Sequence, residues 1–396
     1  MKPGVMPGMI PIRASAPGKL LLIGEYAVLD GAPALVMAVD RRVLVRIDPA
    51  GDRPGRLNAP QLGIREAPMR IRGERLHCDG FNAAALGLTS RLVPAVLQTL
   101  GRAPEAIETV DIEIDSGALF ESDGGRPVKL GLGSSAAVCA SIAVALSEWF
   151  GDSGTGSGPV SDSGSDGASD TTSDTTYDRT FESATAALDR LERWLPVYRR
   201  ALGSRASGAD LAAAMLGGFS RFRSTGAVID CRPLDWPDGL YWRAVWTGQA
   251  AQTTDFVGAY DAWKQNNPDA AAGFHARLSE IALSASANAG NGAVLFEASR
   301  DYAQAMTALG EAAGIDIVTA AHRRLAEFGG RCGVIYKSCG AGGGDLGIAL
   351  ALDPAALREF EAGISDCGGV PLNLSISGSG AEVMLPRVPE SGEGNQ

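Results

Sequence analysis

Lys129-Leu-Gly-Leu-Gly-Ser-Ser-Ala-Ala137, followed by small and apolar residues as far as Phe150, decides how this chain is read. Gly131 and Gly133 let the backbone turn where a Cβ would clash. Ser134 and Ser135 then open a helix, whose free N–H groups and positive dipole end attract anions. The residues from 136 to 150 offer no polar face, so this helix is expected to be buried. The segment reads in two ways: a cradle for phosphate groups, or a turn and N-cap in front of a core helix. In the first reading the cradle is Gly131, Leu132, Gly133, Ser134, Ser135 and Ala136. The two hydroxyls also suit Mg²⁺, a hard cation that prefers oxygen ligands.

Outward from this stretch, the composition is that of a globular chain: 396 residues, 45% hydrophobic and 20% charged, enough for two or three domains. Net charge is −11, which argues against nucleic acid or an anionic membrane as a partner. Residues 151–178 are almost entirely Gly, Ser, Asp and Thr. They hold six aspartates, so the remainder carries −11 + 6 = −5. Such a segment buries too little apolar surface to offset ordering entropy and is expected to be a disordered insert. The six cysteines have no C-x-x-C spacing and the three histidines do not cluster with them, so neither zinc nor a disulfide framework is expected. Free thiols, a first ten residues broken by Pro and Gly, and no apolar run of membrane length lead to a cytoplasmic expectation.

The pattern predicts strands at 43–47 and 111–115, and helices over 81–100 and 181–201, the second ended or kinked near Pro196. Further helices are expected around 211–216, 255–266, 269–286 and 296–312. Strands are expected at 331–338, 346–352, 371–377 and 381–385, the last two joined as a hairpin through Ser377-Gly-Ser-Gly380. Two blocks of alternating elements with a seam near 225–240 predict a two-domain α+β protein.

Two more segments complete a constellation: Ala16-Pro-Gly-Lys-Leu-Leu-Leu-Ile-Gly-Glu-Tyr-Ala-Val-Leu29, and Lys337-Ser-Cys-Gly-Ala-Gly-Gly-Gly-Asp-Leu-Gly-Ile-Ala-Leu350. In this order the three resemble the motifs of the GHMP small-molecule kinases. The third string and Trp246-Thr-Gly-x-Ala-x-x-Thr-x-Asp255 most resemble the phosphomevalonate kinase family. The resemblance covers nearly the whole chain outside 151–178. It implies an N-terminal ATP-binding α/β domain over 1–239 and a C-terminal ferredoxin-like α+β domain over 240–396. It implies ATP and Mg²⁺ as cofactors, phosphomevalonate as small-molecule substrate, no nucleic-acid or membrane partner, and a monomer or homodimer.

By the same resemblance the catalytic residues are Lys19, Lys129 and Asp210, with Ser134 and Ser135 toward the metal. The substrate side is Lys19, Glu25, Tyr26, Thr253, Thr254, Ser338, Gly340, Ala341, Gly342 and Asp345. Cys339 stands where the family pattern leads one to expect serine, and a thiol is a weaker donor. Each residue also has a plainer reading. Lys19 and Lys129 also read as solvated lysines, Thr253 and Thr254 as turn hydroxyls, and Arg199 and Arg200, candidates with Arg205 and Lys337 for offsetting phosphate charge, as an exposed helix face. Ser207 and Asp210 form most of a capping box. An alcohol nucleophile needs a base, whereas a phosphate monoester, with a second pKa of about 6, is mostly dianionic at pH 7. A phosphate acceptor therefore asks Asp210 to orient Lys19 or hold Mg²⁺ more than to take a proton. The alternatives are an alcohol acceptor, as in mevalonate or sugar kinases, and a ligand sensor without catalysis.

Overall fold

A computed structural model of the chain describes residues 10–123, 126–151, 177–179, 184–202, 206–226, 228–248 and 253–386. Its centre is the antiparallel pair Ile12–Ile23 and Ala34–Pro49, long apolar strands in the middle of a ten-stranded sheet. The register of the pair shifts at Pro17/Gly18. Proline has no N–H for the ladder, and the irregularity turns the strand toward a neighbour. There the Lys19 N–H donates to the Leu132 carbonyl at 2.8 Å, so the first strand is bonded to the glycine loop itself.

The helix Ser134–Trp149 packs on this pair and is buried along nearly its whole length, as its lack of a polar face predicts. Ser141 and Ser147 sit in this apolar setting because their hydroxyls donate to the Ala137 and Ala143 carbonyls at 2.8 and 2.7 Å. Beside it lie Ala184–Leu202 and Ala209–Leu216.

The second sheet has the order Ile335–Ser338, Leu346–Ala351, Tyr241–Trp246, Val370–Leu372, with every neighbour antiparallel. With the helices between Tyr241–Trp246 and Ile335–Ser338, and Pro354–Gly363 before the last strand, it is the expected ferredoxin-like arrangement. The fold is thus α+β. Strand Val228–Leu234 belongs to the first sheet and Tyr241–Trp246 to the second.

Four expectations need correction. Of an end or a kink near Pro196, the end is not found: Ala184–Leu202 runs through the proline, the packing of its apolar stripe overriding the local break. Ser377-Gly-Ser-Gly380 is no hairpin. Val370–Leu372 ends in the second sheet, while Glu382–Pro386 crosses back to pair with Ile12–Ile23 in the first. The insert is shorter than 151–178 at its far end, because Tyr177–Arg179 pairs with that returning strand; residues 152–176 lie outside the described residues. Helix Ala320–Arg331 was not foreseen: few of its positions are apolar and Gly329-Gly330 interrupts the pattern.

Candidate active site

Gly131 and Gly133 have φ of 79° and 75°, a region most L-residues avoid. Each also leaves room that another residue fills. A Cβ on Gly131 would lie 2.5 Å from Asp345 Cβ, and one on Gly133 would lie 2.7 Å from Lys19 Cγ. The three motifs, scattered along the sequence, therefore meet at this loop. Lys129 ends a two-stranded ribbon, Phe120–Asp123 with Arg126–Lys129, that delivers it to the same place. Its side chain reaches solvent, yet its pKa is lowered. Desolvation is the largest cause; Lys19 adds to it and Asp345 opposes it. Gly133 is the cap residue of the helix Ser134–Trp149 and, lacking a side chain, makes no side-chain cap bond to that helix start. Two ammonium groups, a carboxylate and an uncapped helix N-terminus thus share one crevice.

Asp210 lies in the first turn of Ala209–Leu216. Its Oδ2 accepts the Tyr198 hydroxyl at 2.6 Å and its Oδ1 the Leu211 N–H at 2.9 Å. The expected capping box does not form. Gly208, at φ 94°, takes the cap position, and Ser207 Oγ accepts instead from Ala209 N–H at 3.2 Å. Among the described residues Lys19 makes no salt bridge with Asp210, so the expected orienting contact is absent. Tyr198 fills that place from inside the protein; burial pushes its phenol pKa well up, with Asp210 adding to the shift. Its neighbour Arg199 donates to the Ala206 and Ser207 carbonyls and to Ser224 Oγ at 3.1, 2.7 and 3.0 Å. It staples the turn that presents Asp210 and is not part of a solvated face. Arg200 is exposed, reaching Gln98 at 3.2 Å.

The third motif is held from behind. Lys337 and Glu25 form a salt bridge of 2.6 Å with both side chains 1% exposed. Lys337 Nζ also donates to the Ser338 carbonyl at 2.7 Å, and Gly340 N–H approaches Glu25 Oε1 at 3.4 Å. Burial raises the Glu25 pKa, with Lys337 opposing. The Tyr26 hydroxyl donates to the Ala341 carbonyl at 2.6 Å. Glu25 and Tyr26, expected on substrate, are thus engaged with the loop that carries Ser338, Gly340, Ala341 and Gly342. Ser338 and Cys339 are buried, and desolvation pushes the Cys339 thiol to about 11.

At the far end of the loop Asp345 has φ 56°. Its carbonyl accepts the Thr247 N–H and hydroxyl at 2.9 and 3.1 Å. His322, one residue of the unforeseen helix, lies 3.0 Å from the Gly344 carbonyl through Nε2 and 2.9 Å from the Tyr336 hydroxyl through Nδ1. Burial lowers its pKa to about 4, so the ring is neutral at pH 7. Thr253 and Thr254 open the helix Thr253–Asn266; their side chains lie outside the described residues. Sequence reasoning missed Tyr198, His322 and Tyr302, whose hydroxyl donates to the Glu25 carbonyl at 2.7 Å, because an aromatic residue or a lone histidine inside a helix pattern carries no local sign of its partner. Among the described residues no helix is long and apolar enough to cross a membrane.

This geometry agrees with comparisons to known proteins. Residues 90–157 match the GHMP kinases N terminal domain, a span that includes the glycine loop. A phosphomevalonate kinase of Streptomyces sp. (strain CL190) is 28% identical over 389 residues, 89% of this chain and 93% of its own length. A mevalonate kinase of Aeropyrum pernix is 33% identical over 142 residues, 35% of this chain and 38% of its own. The solved Streptococcus pneumoniae phosphomevalonate kinase, in complex with phosphomevalonate and AMPPNP, superposes with a TM-score of 0.65. It covers 93% of this chain and 100% of that one at 18% identity, a likeness of fold. With its three motifs gathered at one loop, the chain has the fold of the GHMP kinases, matches their N terminal domain over residues 90–157, and is similar over nearly its full length to a phosphomevalonate kinase.

Proposed function

We propose that this protein transfers the γ-phosphoryl group of ATP to 5-phosphomevalonate, giving 5-diphosphomevalonate. The observation that carries the reading is the meeting of Lys19 and Lys129 at a glycine loop and an uncapped helix start. Two polyanions must be brought together there. A unit charge pair 4 Å apart gains about 4 kcal/mol at an effective dielectric of about 20, so two lysines offset much of the repulsion. Gly131, Leu132, Gly133, Ser134, Ser135 and Ala136 cradle the nucleotide phosphates. Lys129 stabilises the charge that spreads over the transferred oxygens, and Lys19 holds the acceptor phosphate. Ser338, Gly340, Ala341, Gly342, Asp345, Thr253 and Thr254 form the acceptor side. An acceptor phosphate oxygen bonds to the γ-phosphorus, the bond from that phosphorus to the bridging oxygen breaks, and ADP leaves with the electron pair.

Asp210 supports a phosphate acceptor over an alcohol. Both of its oxygens already hold donors, which suits a fixed negative charge better than a proton acceptor. Mg²⁺ would be held by the Ser134 and Ser135 hydroxyls. Among the described residues no three His, Cys, Asp or Glu side chains form a cage, and such a site fits an ion whose other ligands are phosphate oxygens and water. When bound, it neutralises phosphate charge. The division into 1–239 and 240–396 is part of this reading, with Glu382–Pro386 returned to the first sheet.

A mevalonate acceptor is the second reading, favoured by the match of about a third of the chain to a mevalonate kinase. Coupled ADP release with mevalonate, 5-phosphomevalonate and galactose separates them. The proposal expects kcat/KM to be highest on 5-phosphomevalonate. Faster turnover of mevalonate would move the assignment to the alcohol acceptor, and no release on any acceptor would favour a sensor.

A further inference from the structure

The glycine loop at 340–344 is tied to the end of the first strand by side chains from three elements. Glu25 follows Ile12–Ile23, Lys337 lies in Ile335–Ser338, and Tyr302 in Gly292–Ala313 donates to the Glu25 carbonyl at 2.7 Å. Lys337 spends its ammonium on Glu25 Oε1 and the Ser338 carbonyl. Among the described residues Glu25 Oε2 has no partner, and it is buried. A buried pair of this kind adds little stability over two apolar residues of the same volume, because desolvation cancels most of the attraction. What it does add is direction: one carboxylate and one ammonium satisfy each other in a single arrangement.

That arrangement has a place in the site. Lys19 lies on Ile12–Ile23, six residues before Glu25, and Asp345 is at the other end of the loop, seated on Gly131. We propose that Glu25 and Lys337 are positioning residues: their buried pair, with the Tyr26 hydroxyl on Ala341, fixes the 340–344 loop so that Asp345 and Lys19 meet at the phosphate cradle. In its activity arm this rests on the kinase reading. Its stability arm needs no acceptor, so a wrong acceptor leaves the pair testable.

The test uses the full chain with E25Q, K337M, E25Q/K337M and Y26F, reading Tm, kcat and the KM for ATP. E25Q and K337M each leave a buried partner unmatched and should lower Tm by several degrees. E25Q/K337M should regain most of that Tm, while its kcat stays at least about tenfold below wild type and its KM for ATP changes less than about threefold. Y26F keeps the ring and loses one bond; its kcat should fall about three- to tenfold with little change in Tm, a readout that survives if the other variants fold poorly. Wild-type kcat in the double variant or in Y26F overturns the proposal, as does additivity of the two single Tm changes. Recovery of Tm without recovery of kcat supports it.

Discussion

Two glycine-rich loops face each other in this protein, and they use glycine for opposite ends. In the first, at 131–133, the missing side chains leave space that is taken by Asp345 and Lys19, charged groups from elsewhere in the chain. In the second, at 340–344, the space is taken by structure: a Cβ on Gly343 would lie 1.9 Å from the Phe256 ring, and Gly343 N–H donates to the Ile317 carbonyl at 3.1 Å. The first loop seats charged groups and the second is bolted down. Glycine content alone therefore does not say what a loop does; the atoms that fill the space do.

The sharpest test of this contrast is a matched pair of substitutions. Gly133→Ala and Gly343→Ala both force a side chain to positive φ, about 1–2 kcal/mol of stability each, and the clash with the Phe256 ring should add about 1–3 kcal/mol to the second. Gly133→Ala also pushes Lys19 aside and should lower kcat about 100-fold or more in the ADP-release assay, whereas Gly343→Ala, which disturbs the second loop without touching Lys19, should lower it about tenfold. Equal losses would erase the distinction. Next in size, Lys129→Ala should lower kcat by one to two orders of magnitude while chemical denaturation stays near wild type, since the side chain is exposed. Wild-type turnover would remove Lys129 from the mechanism.

The bolted loop should also show in the pH dependence of stability. His322 has a pKa lowered from 6.5 to about 4, so the folded state favours the neutral ring. Its contribution is complete above pH 6.5 and is lost as pH falls from 6.5 toward 4, about 1.4 kcal/mol per pH unit and about 3 kcal/mol in all. His322→Gln should flatten the denaturation midpoint across that window, and an unchanged slope would show that the ring does not secure Gly344. The smallest effect is expected from deleting 152–176, which leaves Tyr177–Arg179 in its sheet; kcat should stay within about twofold.

The sequence carried most of the first loop because its signals are local. Glycines, serines and the apolar helix that follows are contiguous, and periodicity reports a buried helix directly. It carried little of the second, because what holds 340–344 comes from far away. Glu25 and Lys337 are 312 residues apart, and Phe256, Ile317 and His322 lie on three different segments. Tyr198 and Arg199 looked like ordinary helix residues for the same reason: their partners, Asp210 and the turn before it, sit across a break in the pattern. Pro196 shows the converse, a strong local signal overruled by packing around Trp194, Leu195 and Tyr198, all buried to 1% or less.

The strand Glu382–Pro386 has a consequence for how the molecule is made. It lies directly against Ile12–Ile23, so a strand that leaves the ribosome early waits for one made much later before its sheet is complete. Contacts this distant in sequence are slow to form, and a partly synthesised chain exposes an unpaired edge where that strand belongs. Until Glu382–Pro386 emerges, the nascent protein is therefore open to aggregation and to chaperone capture along the flank of the sheet that carries Lys19 and is bonded to the 131–133 loop.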